Sequence, residues 1–142
     1  MNERNTTAQR SIVYLALPIA YMLLIFLLSS VPGDISAGDP GVFLVFAWLA
    51  PDFQNLLHIP LFGGLAWFWC DALRRVAVPS GFVLLAAFAI TVLYGSLDEI
   101  HQSFIPGRMA NLIDVALNTI GAAVAIVAYR LWGRRRVPGR WF

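Results

Sequence analysis

Asp98, Glu99, His101, Gln102, Arg108, Asp114 and Asn118 fall within one short stretch of the chain, and His58 upstream is the one other histidine. A planar guanidinium can hold a phosphate or carboxylate by two parallel hydrogen bonds, which makes Arg108 the candidate anion-binding residue. A carboxyl group near a low-dielectric boundary holds its proton more tightly, so Asp98 or Glu99 is suited to act as a general acid or base. His58 fits either a hydrogen-bond partner across helices or the base of such a pair. The catalytic candidates are therefore Glu99, Asp98 and His58, with Arg108, Gln102, Asp114, Asn118 and His101 as substrate-binding candidates. The competing reading is structural. In it Arg108 neutralises Asp98 or Asp114 and locks a turn between helices, and Asn118 makes an interhelical hydrogen bond.

Other chemistries are weaker. Two histidines and three carboxylates raise zinc binding, but no His-x(3)-His or Glu-x(2)-His pair occurs and the nearby amides are poor zinc ligands. No metal and no cofactor is expected. Ser103 lies near His101 and Asp98 without the elbow that exposes a serine nucleophile.

The elements that carry these residues follow from composition. Of 142 residues 59% are hydrophobic and 13% charged, against about a quarter charged in ordinary soluble domains. The expected class is an all-α integral membrane protein, one domain over 1–142. A crossing needs about 20 apolar residues for a hydrocarbon core of roughly 30 Å. Four segments approach that length, at about 12–30, 53–73, 77–97 and 112–132, which predicts a four-helix transmembrane bundle. Between the first two, residues 42–50 are apolar but too short to cross. With Asp39 as cap and Pro40 at the first helical position, they predict a short interfacial or re-entrant helix. Pro18 is tolerable inside the first span if Tyr21 or a neighbouring helix meets the freed carbonyl.

Every basic residue is Arg. Arg4 and Arg10, Arg74 and Arg75, and Arg134, Arg135, Arg136 and Arg140 share one side of the membrane. The 31–52 connection has no basic residue, and the 103–110 loop has Arg108 alone. The excess of positive charge puts both termini in the cytoplasm. Arg134 to Arg136 are then anchors for anionic lipid, and Trp48, Trp132 and Trp141 interfacial belts. No soluble fold displays the arginines to nucleic acid, so none is expected as a partner. Cys70, the lone cysteine, reads as a buried, inert thiol.

On this topology the polar residues converge at the outward end: Asp52, Gln54, Asn55 and His58 on the second span, Asp98 to Gln102 on the third, and Asp114 and Asn118 on the fourth. Helical spacing puts Tyr94, Asp98 and His101 on one stripe, with Glu99 and Gln102 on a second beside it. Asp114, Asn118, Gly121 and Ala125 form a stripe suited to close helix approach.

The string Asp98-Glu99, Gln102, Arg108, Asp114, Asn118, Gly121, or D-E-x(2)-Q-x(5)-R-x(5)-D-x(3)-N-x(2)-G, resembles the signature of the VanZ-like membrane proteins, with His58 at the position of the family's upstream histidine. Gln54-Asn55 stands where the family often has Asp-Lys. The resemblance implies a bacterial cytoplasmic (inner) membrane protein of about four to five spans, associated through the family's namesake with teicoplanin resistance. It does not imply a reaction. The expected function is an outward polar cleft binding a glycopeptide, a lipid-linked cell-wall precursor or another envelope amphiphile, an accessory role of the antibiotic-resistance type. The alternative is a small intramembrane enzyme acting on such a substrate. A proton-coupled carrier is weaker, since no ionisable residue lies at mid-depth in a span. Membrane lipids are the remaining expected partners, and no oligomeric state is legible.

Overall fold

The computed structural model describes residues 3–34, 55–76 and 78–136, with side chains described for 13–34, 55–76 and 78–132. The described residues form four helices: α1 Glu3–Ser29, α2 His58–Arg75, α3 Ser80–Gln102 and α4 Leu112–Arg136. Prolines punctuate them, because the residue before a proline is pushed out of the helical region. Pro32 follows α1, Pro79 precedes α3 and Pro106 follows it. The expected helix at 42–50 lies outside the described residues, as do Asp52, Gln54, Ala77, Trp48, Trp141, Arg140 and the side chains of Arg4, Arg10 and Arg134 to Arg136.

Two helical segments, Ser80–Gln102 and Leu112–Trp132, are long and apolar enough to cross a membrane, and Val13–Ser29 is a shorter apolar helix. Several boundaries differ from the expected spans: α1 begins at Glu3, α2 at His58 and α3 at Ser80, and α4 runs on to Arg136. The apolar stretch ends at Leu97, yet α3 runs on to Gln102. The carboxylates of Asp98 and Glu99 meet partners on neighbouring helices, so the helix need not end where the charges begin.

The middle of the bundle is the α2–α3 pair. α1 packs on α2 and α3, α4 packs on α2 and α3, and α1 and α4 do not touch. Successive helices alternate in direction. The end of α1, the start of α2, the end of α3 and the start of α4 therefore meet at one end. At the other, Arg74 Nη1 donates to the Tyr129 hydroxyl at 3.3 Å and Arg75 lies over the Tyr14 ring and pairs with Asp71 at 2.7 Å.

Burial is inverted relative to a soluble bundle. Leu97 is 62% exposed, while Glu99 is 3% and Asn118 1% exposed. Phe82, Leu85, Leu93 and Ile100 on α3, and Ile113, Ile120, Val124, Val127 and Leu131 on α4, are also exposed. Soluble monomers rarely expose apolar patches of more than a few hundred Å². Two apolar clusters fill the interior: Phe62 and Leu65 of α2 with Ile25 of α1, and Cys70 and Leu73 with Val83, Ala87 and Tyr129. Tyr21 packs edge-on against Phe68, with ring centroids 5.1 Å apart.

Where apolar faces are turned outward, helices associate by close backbone approach. The small-residue stripe of α4 does this. A Cβ on Gly121 would collide with the Ile59 carbonyl of α2, and one on Gly63 would come 3.2 Å from the Gly121 carbonyl oxygen. Gly81 has nothing within 4 Å. Gly121→Ala is therefore expected to destabilise by about 1–3 kcal/mol, as overpacking does. Gly81→Ala should be neutral or stabilising by up to about 1 kcal/mol. Thermal unfolding of the two variants in detergent compares them directly, and equal melting temperatures would contradict the crossing.

Candidate functional site

Adjacent positions on a helix point about 100° apart, so Asp98 and Glu99 face different neighbours. Asp98 turns toward α1. Its Oδ2 accepts from the Ser29 hydroxyl at 2.8 Å and from Gln102 Nε2 at 2.9 Å. The rest of its stripe faces the same way: Tyr94 donates to the Met22 carbonyl at 2.6 Å, and His101 stacks on Phe26 with centroids 4.5 Å apart. Ser30 gives its hydroxyl proton to the Phe26 carbonyl at 2.7 Å, which makes His101 Nε2 the donor in its 3.0 Å contact with Ser30 Oγ.

Glu99 turns toward α4. Its Oε2 accepts from the backbone N–H of Asn111 at 3.1 Å, while the Asn111 side chain caps α4 by accepting from the Ile113 N–H at 2.9 Å. The carboxylate thus lies at a helix N-terminus, where negative charge is favoured. Asp114, in the first turn of α4, is 6% exposed. His58 Nδ1 lies 2.8 Å from Asn118 Oδ1; an amide oxygen can only accept, so the ring nitrogen donates.

Arg108 corrects an expectation. It makes no direct ion pair with Asp98, Glu99 or Asp114. Its Nε donates to the Val31 carbonyl at 2.8 Å and its Nη1 to Gln102 Oε1 at 3.1 Å. The turn that carries it sets this geometry. Gly107 has φ +72°, and a Cβ there would collide with the Asp34 backbone nitrogen. The Gly33 N–H donates to the Pro106 carbonyl at 2.9 Å, pressing the loop against the end of α1, where backbone carbonyls lack helical partners. Burial lowers the Arg108 pKa, and the nearby charges of Asp98, Glu99 and Asp114 oppose that shift.

Gln102 departs from its expected stripe as well. It bridges Asp98 to Arg108 instead of extending the Glu99 face. The candidates accordingly divide into a chain Ser29–Asp98–Gln102–Arg108–Val31 with His101 alongside, and a group of His58, Glu99, Asp114 and Asn118. Sequence reasoning passed over Ser29 and Ser30, which the depth argument could have found. It also passed over the backbone groups of Val31 and Asn111, which no residue type reveals. Ser103, donating to the Ile100 carbonyl at 2.6 Å, is part of neither group.

Four buried polar atoms of the site have no hydrogen-bond partner: Asp98 Oδ1, Glu99 Oε1, Asp114 Oδ1 and Asn118 Nδ2. Each such atom in an apolar interior costs about 1–3 kcal/mol, so a bundle shaped for stability alone would lack them. The arrangement can accept donors or cations at the carboxylates and can hold an anion at Arg108.

Compared with known proteins, the chain matches a family model described as VanZ/LLP1 over residues 11–133. No curated protein and no solved structure matches it.

Ser29→Ala removes one of the two donors to the buried Asp98 Oδ2. The expected loss is about 1–3 kcal/mol of stability, while Ser103→Ala should change stability by less than about 0.5 kcal/mol. Chemical or thermal unfolding in detergent measures both, and equal effects would remove Ser29 from the site.

Proposed function

The chain belongs to the VanZ/LLP1 family, and from that footing we propose that it is a four-span membrane protein whose polar end binds an envelope amphiphile with an anionic headgroup. Arg108 carries the reading: a half-buried guanidinium that touches only neutral oxygens, set beside three carboxylates at the end of an apolar-faced bundle. Among the described residues only two of its five N–H donors are engaged, both by neutral oxygens, so the guanidinium keeps donors with which to hold an anionic group by charge-assisted hydrogen bonds. Lipid-linked cell-wall precursors and glycopeptides such as teicoplanin carry the anionic groups and the amphiphilic body such a place suits. The protein acts in this reading as an accessory to antibiotic resistance in the bacterial inner membrane.

The polar end faces outward and both termini lie in the cytoplasm. The arginine distribution supports this orientation, and the apolar surface of α3 and α4 supports embedding in the membrane. On a Cys70→Ser background, a cysteine at Met109, which is 89% exposed, should be labelled from outside intact cells. One at Gly139 should not. Labelling at Gly139 would reverse the topology.

A second reading, turnover of the bound amphiphile, draws on Glu99 Oε1. This buried oxygen has no hydrogen-bond partner and belongs to the same compact group as the His58 imidazole, and such a pair can exchange a proton with a substrate. Binding of a lipid-linked precursor and of teicoplanin to the protein in nanodiscs tests the first reading. Arg108→Lys keeps the charge but loses the fork, and should weaken binding about tenfold, or 1.4 kcal/mol. Glu99→Gln should leave any turnover reduced by about a hundredfold or more. If wild-type protein binds neither compound, the amphiphile reading fails.

A further inference from the structure

We propose that His58, Glu99 and Asp114 form a site for a divalent transition-metal ion of the zinc class. One ring nitrogen of His58 and one carboxylate oxygen each from Glu99 and Asp114 lie within 4.8 Å of one another. Three ligands at zinc bond lengths stand about 3.4 Å apart around a tetrahedral ion, so small side-chain rotations close the set.

Both carboxylates of the set have an oxygen that the protein leaves unused and that could bind the ion. Glu99 Oε1 and Asp114 Oδ1 are buried without a hydrogen-bond partner, on residues 3% and 6% exposed. Arg108 does not neutralise them by contact, since both its hydrogen bonds go to neutral oxygens. Two carboxylates facing a neutral imidazole balance a double positive charge, and an ion there would use both orphaned oxygens at once.

The opposite side of two ligands is already held. His58 donates from Nδ1 to Asn118 Oδ1, leaving the ring a lone pair on Nε2. Glu99 accepts the Asn111 N–H on Oε2, leaving Oε1. Hydrogen bonds of this kind orient metal ligands and fix the imidazole tautomer. The three residues sit on α2, α3 and α4, so the set depends on rigid elements and not on a loop. One nitrogen and two oxygens suit zinc, manganese or iron(II). Calcium and magnesium prefer oxygen alone. Three protein ligands also leave a coordination position open, as in sites that bind or activate a further ligand. The ligands come from three helices, which is why no local motif such as His-x(3)-His announces them. His101 is outside the set.

The experiment needs no amphiphile and so stands apart from the function proposed above. Full-length protein is purified in detergent, stripped with a chelator and titrated with cobalt(II), followed by visible absorption, then with zinc. The expected result is one equivalent of cobalt with ligand-field bands, displaced by one equivalent of zinc, and a melting temperature raised by either ion. The near-isosteric Glu99→Gln and Asp114→Asn, and His58→Ala, should each abolish the bands. Asn118→Leu should weaken uptake roughly tenfold to a hundredfold while the protein still folds. Asp71→Asn, at the far end, should leave uptake unchanged. The absence of bands in wild-type protein overturns the site, whatever the variants do. Uptake that survives all three ligand substitutions overturns it as well, as an adventitious ion only.

Discussion

Two carboxylates on consecutive residues of one helix cannot both be buried by a single neighbour. Asp98 and Glu99 project in different directions from α3, so keeping both out of solvent requires a helix on each side. α1 meets Asp98 through Ser29, and α4 meets Glu99 through the N–H of Asn111. The layout in which α1 and α4 flank a central pair without touching is the arrangement that meets this demand. It also fixes where each helix ends. Ser29 must reach Asp98, so α1 finishes at that level, and α4 must begin beside Glu99 to offer its first backbone donors.

The rest of the packing follows from having apolar side chains outside and polar ones within. Expulsion of water cannot drive helix association where the surroundings are as apolar as leucine. Contact energy comes instead from backbone approach, and the α2–α4 crossing supplies it through Gly63 and Gly121. The crossing lies just below the polar group on α4, so the spacing of Asn118 and Gly121 sets the distance at which His58 meets Asn118. The amide partner and the close contact are two parts of one interface.

Much of this was legible in the residues. Hydropathy located the helices, and the common depth of the polar residues located the end at which they gather. A period of 3.6 put Tyr94, Asp98 and His101 on one face, where all three meet α1. The interhelical roles of His58 and Asn118 were legible too, and the two meet each other; what escaped were interactions whose partner is a backbone group. Arg108 was paired in expectation with a carboxylate because only side chains show their charge in a sequence; its nearest oxygens are the Val31 carbonyl and the Gln102 amide. The common depth brought His58, Glu99 and Asp114 to one end, but which of the histidines and carboxylates come within ligand distance depends on how closely three separate helices approach, and no local spacing encodes that. Hydropathy ended the third crossing at Leu97, while helical spacing already carried the helix through Gln102, where it ends.

The seam between the two ends of the chain's fold has a temporal side. Arg108 and Val31 are 77 residues apart in the chain, and Gly33 waits equally for Pro106. At translation rates of about 5–20 residues per second, α1 is complete roughly 4–15 s before the loop that covers its last carbonyls is made. During that interval the last carbonyls of α1 lack the partners the loop supplies and must find hydrogen bonds elsewhere. The seam needs α3 and the loop that follows it, but not α4. A chain truncated before Arg108 lacks the side chain that caps the Val31 carbonyl.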